Sequence, residues 1–150
     1  MFTDLPTISP IIPSLARKGV RSAPAQFTDE HGQECIRVSL DNRGRHFATI
    51  NAHDYLAVLR AGVTGAWFMN DNGKGRSYVR AAVPTGIGTC TNVQIARIII
   101  GAGPRTIVRY ANGDPLDLRR ANLSWQRGKA KRTDDHLAQR GAEYRAARAA

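Results

Sequence analysis

Two cysteines in 150 residues are too few for a disulfide framework, and Cys35 and Cys90 stand 55 positions apart without a CxxC pair that could open a zinc knuckle. Reduced thiols in a cytosol fit that usage. The four histidines, His31, His46, His53 and His136, show no HxxxH or HExxH spacing, so no histidine metal site is expected. Nowhere does an apolar run approach the roughly 18 to 20 residues of a membrane span. The opening MFTDLPTISPIIP has no basic stretch before its apolar residues and is broken by prolines, which argues against a secretory signal. A soluble cytoplasmic, nucleoid-associated protein without membrane contact is the expectation. The scarcer charge is the negative one: 12 Asp and Glu face 22 Lys and Arg, a net charge of +10 with a pI near 10.6. Such an excess attracts polyanions, nucleic acid first.

What is present divides the chain into three parts. Residues 1–30 carry Pro6, Pro10, Pro13 and Pro24 with Arg17, Lys18 and Arg21 between them, and read as an extended or flexible arm. Residues 31–127 hold the periodic sequence. Ile36, Val38 and Leu40 alternate with polar residues as a half-buried strand does, and a turn over 41–44 leads to a second strand, His46 to Ile50. Asn51 then caps a helix with Asp54 three positions on, Ala52, Tyr55, Leu56 and Leu59 on one face, and Gly62 as the stop. Two further strands, 66–69 and 77–83, are joined by a polar glycine loop. Along the second of them Val79, Ala81 and Val83 point one way, while Arg76, Tyr78 and Arg80 point the other. PTGIGT, residues 84–89, lacks the spacing of a phosphate cradle and reads as a turn. Residues 128–150 are basic and rich in Ala, with a helix from about Asp134 whose apolar face is thin and which reads equally as a solvated tail or a DNA-contacting extension.

The most specific stretch is VRYANGDPLDLRRANLSW, Val108 to Trp125. Asn112-Gly113 is a strong signal for a two-residue type I′ hairpin turn. Asp114, Pro115 and Asp117 together read as a helix start, opening a short helix that carries Leu116, Arg119, Arg120 and Leu123.

The NGDPLDxRRxNL spelling resembles the HNH nuclease family, in particular its phage homing type. The resemblance runs from about His46 to Arg127 and takes in the DYLAVL helix, the YVRA strand and ARIIIG, residues 96–101, which the family makes helical. It implies an α+β fold, a small antiparallel sheet with helices followed by a ββα unit. The three-stranded sheet and helix of plant ethylene-response DNA-binding domains is a looser analogy for residues 66–100. In HNH nucleases an Asp-His pair supplies a metal ligand and a general base, an internal Asn props the hairpin, and a final His or Asn completes the metal site. Those positions are here Arg109 and Tyr110, Leu118 and Asn122, and the family's upstream His is Ala96. A phenol with a pKa near ~10 is a poor base at neutral pH, and a permanent guanidinium repels the cation it would have to bind.

The resemblance and the charge together give the expectation of a phage or prokaryotic DNA-binding protein, such as a transcription regulator, with no catalytic residue, metal or cofactor. Double-stranded DNA is the expected partner, with a homodimer allowed. Its contacts fall to Arg105, Arg109, Arg119, Arg120, Lys129, Lys131 and Arg132 on phosphates, and to Arg76, Tyr78 and Arg80 on bases, since a β-ribbon fits the major groove. Two alternatives stand. One is a divergent metal-dependent nuclease using Asp114, Asp117 or His136. The other is a protein-interaction module, for instance a phage-encoded inhibitor with an acidic protein partner.

Overall fold

A computed structural model describes residues 21–129 and 133–149. The described residues form an α+β fold, with three small antiparallel sheets and three α-helices among them. The first sheet joins β1 (Ala25–Thr28), β2 (Glu34–Ser39) and β3 (Phe47–Asn51) in that order. Val38 pairs with Ala48 and Ile36 with Ile50, so the period-two pattern read from the sequence drives one face of both strands into the core. Residues 25–28, expected as the end of the arm, form an exposed edge strand. The arm's first twenty residues lie outside the described residues.

Helix α1 (Ala52–Arg60) follows β3 directly and buries Ala52, Tyr55 and Val58. It ends where expected, at Gly62, whose φ of +103° is open to glycine. The second sheet is β4 (Trp67–Asp71), β5 (Ser77–Gly86) and β6 (Thr89–Gln94). PTGIGT is the tight β5–β6 turn, with Ile87 at its exposed tip. Helix α2 (Ile95–Ile99) follows β6, so the stretch before Gly101 is part strand and part helix.

The last sheet pairs β7 (Thr106–Tyr110) with β8 (Leu123–Arg127), Tyr110 opposite Leu123. The helix expected over 115–123 is absent, and so is the two-residue turn at Asn112-Gly113. Residues 111–122 instead form a long connection that ends in a single 3-10 turn at Arg120–Asn122. Two forces override the helix start. Asp114 and Asp117 spend their carboxylates on the backbone N–H groups of Leu116 and Arg119, two residues on, which closes turns rather than a helix. The segment is also drawn onto the free edge of β3: Leu118 N–H donates to Thr49 O at 2.7 Å, and Thr49 N–H donates to Leu116 O at 2.9 Å. Leu118, the position of the family's internal Asn, is thereby sealed in the core at 0% exposure.

The helix that follows the β7–β8 hairpin is α3 (Asp134–Ala149). It begins at the residue the sequence indicates, and it is packed rather than solvated. It lies on β5 and β6 through small residues: Ala138 is fully buried, and a Cβ on Gly141 would stand 3.2 Å from the Val83 side chain. One apolar core runs through the first two sheets, the three helices and the hairpin, with Ile36, Ile50, Val79, Ile95 and Leu118 at its centre. No helix among the described residues is long and apolar enough to cross a membrane.

Candidate nucleic-acid interface

Two concavities hold seven of the eight described residues expected to touch DNA. The larger, about 1080 Å³, lies between the β1–β2 turn, the start of α1 and the 111–122 connection. Arg119 and Arg120 stand in it, and both are bound to carboxylates. Arg119 makes a two-pronged contact with Asp117, Nε to Oδ1 at 2.9 Å and Nη2 to Oδ2 at 2.8 Å. Its remaining nitrogen reaches Asp29 at 3.1 Å and Glu30 at 2.8 Å on the β1–β2 turn. Its hydrogen bonds to Asp117 first, then to Glu30, raise the guanidinium's pKa above its ordinary value. Burial pushes the Asp117 carboxyl up, but the Arg119 side chain and backbone N–H outweigh it, and the net displacement is downward. Arg120 donates to Asp54 at 2.9 and 3.2 Å and to Ile99 O at 2.9 Å.

Asn122, where the family's final metal ligand would stand, is spent inside this connection. Its Oδ1 accepts from Asn112 N–H at 2.9 Å, and its Nδ2 donates to Asp117 O at 2.9 Å. Asn51, which sequence reasoning makes an N-cap, instead accepts from Arg120 N–H at 2.7 Å through its side chain. Asp114 and Asp117 act as turn residues. Among the described residues no three His, Cys, Asp or Glu side chains gather as a metal site.

The second concavity is a groove of about 760 Å³ with one wall from β5 and the other from β7. Arg76, Tyr78 and Arg80 line the first wall, as the alternation along β5 requires, and Arg109 and Tyr110 line the second; Lys129 completes it. The positions of the family's Asp-His pair thus face into the groove, and five of the ten residues expected to touch DNA come together there. The Arg80 guanidinium lies 5.3 Å above the Tyr78 ring, which fixes the arginine's direction, and its buried Nε has no hydrogen-bond partner. Tyr110 is held by burial, which raises its phenol above the ordinary value; its hydroxyl accepts from Gln94 Nε2 at 3.4 Å. A phenol so placed is deprotonated even less near neutral pH than a free one, and so is less available as a general base.

No family model, curated protein or solved structure matches the chain. The likeness to HNH nucleases therefore stands on the residues quoted for it.

The groove's charge is unbalanced. Among the residues lining it the one acid is Asp134, 1% exposed, which accepts from Gln94 N–H at 2.6 Å and pairs with Arg97 at 3.9 Å. Arg76, Arg80, Arg109 and Lys129 make no ion pair among the described residues. Arg105 stands outside the groove, exposed at the head of β7 with a φ of +62°. Lys131 and Arg132 lie outside the described residues.

Sequence reasoning missed the support beneath the groove. Arg97, 5% exposed, donates to Thr106 O at 2.8 Å and to Gly103 O at 3.0 Å, tying α2 and the start of α3 to the head of β7. The signal was there to read: a lone arginine inside the apolar run IARIII is costly to bury without several acceptors.

Proposed function

We propose that the protein binds DNA through the β5–β7 groove and does not cleave it. The observation that carries this reading is the convergence of Arg76, Arg80, Arg109 and Lys129, none of them ion-paired within the described chain, on one concave surface whose single acid is buried and engaged. Concave, low-dielectric walls focus a field of one sign, so a polyanion is drawn to this surface before the rest of the molecule. Guanidinium groups meet phosphate oxygens in pairs of hydrogen bonds, which fits the arginine-rich make-up of the groove.

The absence of hydrolysis follows from what stands at the HNH positions. Arg109 sets a fixed cation where a divalent ion would be repelled, and Tyr110 is a half-buried phenol unable to take a proton from water near neutral pH. Two of the three residues of the nuclease alternative are otherwise engaged: Asp114 and Asp117 close turns, and Asp117 is clamped by Arg119.

The test is an electrophoretic shift series over salt beside a plasmid assay. A shift at low salt that fades steeply as salt rises, with supercoiled plasmid left intact in magnesium or manganese, is the expected pair of results. Metal-dependent nicking lost in Asp117→Ala would overturn the reading in favour of a nuclease. No shift of any DNA at low salt would overturn it in favour of a protein-interaction module.

A further inference from the structure

We infer that the ligand of the groove is a single strand of nucleic acid rather than a duplex, an inference that rests on the DNA-binding reading above. The duplex expectation required the Arg76–Tyr78–Arg80 face to stand proud of the molecule. A β-ribbon reads bases by entering a major groove about 12 Å wide and about 8.5 Å deep, so its reading face must protrude by that depth. On β5 that face is recessed: it shares one concavity with Arg109, Tyr110 and Lys129 on the opposite side. A duplex laid over the opening would meet the rims, while Arg80, half-buried with its Nε out of reach of solvent, would stay below it.

A single strand is thin enough to enter. Inside, it would meet what single-strand tracks are made of, cations that follow the backbone interleaved with aromatic rings. Arg76 and Lys129 are exposed and Arg109 is exposed, so these three can close on phosphates from both walls. Tyr78 and Tyr110 are half-buried between them. The Arg80 guanidinium, already seated on the Tyr78 ring, offers a flat charged surface on which an unpaired base can lie. The groove's volume of about 760 Å³ falls in the range of sites that enclose a ligand of a few rings rather than graze a long one.

The experiment uses the full chain and fluorescence anisotropy with three labelled probes of one sequence, a 12-nucleotide DNA strand, the same strand as RNA and the matching DNA duplex, and adds a competition of the labelled DNA strand against unlabelled duplex. The expected result is at least tenfold tighter binding of the single strands than of the duplex. The salt slope of log affinity should lie near −2, as about −0.7 per phosphate for the three phosphate-facing cations requires. The DNA and RNA arms show which backbone the groove prefers, and either preference supports the inference. Arg76→Glu with Arg109→Glu, exposed on opposite walls and free of ion pairs among the described residues, should lower single-strand affinity a hundredfold or more. Arg43→Glu with Arg45→Glu, exposed cations of the β2–β3 turn, should change it less than threefold.

Duplex binding equal to or tighter than single-strand binding, with the groove variants still impaired, would overturn the single-strand inference and leave the DNA-binding reading standing. Binding of neither would overturn both. Equal losses from the two charge reversals would remove the groove as the site.

Discussion

Replacing Arg119 by alanine separates a structural clamp from a DNA contact. The residue holds three carboxylates from two distant parts of the chain, and Asp117, the one it grips with two nitrogens, is 6% exposed. Removing the guanidinium leaves Asp117 with the Asn112 amide at 2.8 Å and a backbone N–H at 3.2 Å. Breaking a fully buried pair typically costs about 3–5 kcal/mol. The Arg119 side chain is 22% exposed, and water reaches the vacated site, so the cost here is about 2 kcal/mol. For a chain of this length that lowers Tm by roughly 4–8 °C. Urea unfolding followed by the fluorescence of Trp67, which is 3% exposed, reads it directly. The loss must also depend on pH. In the folded chain the Asp117, Asp29 and Glu30 carboxyls all sit below their ordinary values. Their stabilisation is complete above the unfolded carboxylate range near ~4 and disappears as pH falls through the folded values. The gap between wild type and Arg119→Ala should be full at pH 7 and should close below about pH 4. Nucleic-acid affinity at pH 7 should change less than threefold in the folded variant. An unchanged Tm together with lost binding would refute the clamp and return Arg119 to the interface.

Three further substitutions probe the frame around the groove. Arg97→Met keeps bulk but strands Asp134 beneath the groove without its guanidinium; a loss of about 3–5 kcal/mol, seen as aggregation or a Tm drop beyond that of Arg119→Ala, is expected. Gly62→Ala puts a Cβ 2.5 Å from the Ala142 Cβ at a φ of +103°, and should cost about 2–4 kcal/mol with faster amide exchange along α3. Asn122→Ala breaks the two hydrogen bonds that brace the 111–122 connection and should cost about 2 kcal/mol in urea unfolding while leaving groove affinity unchanged. A loss of binding without a loss of stability in that variant would contradict the assignment of Asn122 to structure.

Much of the frame was legible because it is written in local periodicity. The alternation over 36–40 and 77–83 fixes which side chains enter the core, and the Asn51 to Gly62 pattern marks α1, because each signal is set by neighbours a few residues away. What failed depends on partners far along the chain. The helix start at Asp114-Pro115 is genuine as a local signal, but the open edge of β3 captured the segment through Thr49, which no reading of 108–125 alone contains. The packing of α3 was invisible for a different reason. Ala138 and Gly141 contribute close approach instead of apolar bulk, so the helix looks solvated although it is seated against β5. In the groove, the phase of Arg76, Tyr78 and Arg80 could be read directly, while their meeting with Arg109 could not. Two of the three carboxylates that hold Arg119 lie 89 and 90 positions away on the β1–β2 turn, and nothing in the arginine's own neighbourhood points to them.

The net charge of +10 acquires meaning through how the fold sorts it. Cations that find a carboxylate are used to hold the chain together: Arg119 with Asp117, Asp29 and Glu30, Arg120 with Asp54, Arg97 with Asp134. With 12 acids against 22 Lys and Arg, each carboxylate drawn to one side of the molecule leaves the other side more positive. The acids of the β1–β2 turn, α1 and the 111–122 connection gather around the first cleft, and the one acid of the second groove is neutralised from within. The same pairing that rigidifies the 111–122 connection therefore sharpens the field in the groove beside it. Substituting Arg119 should cost stability and leave affinity, and substituting Arg109 should cost affinity and leave stability, because the two residues differ in whether the chain supplies their counter-charge or a ligand must.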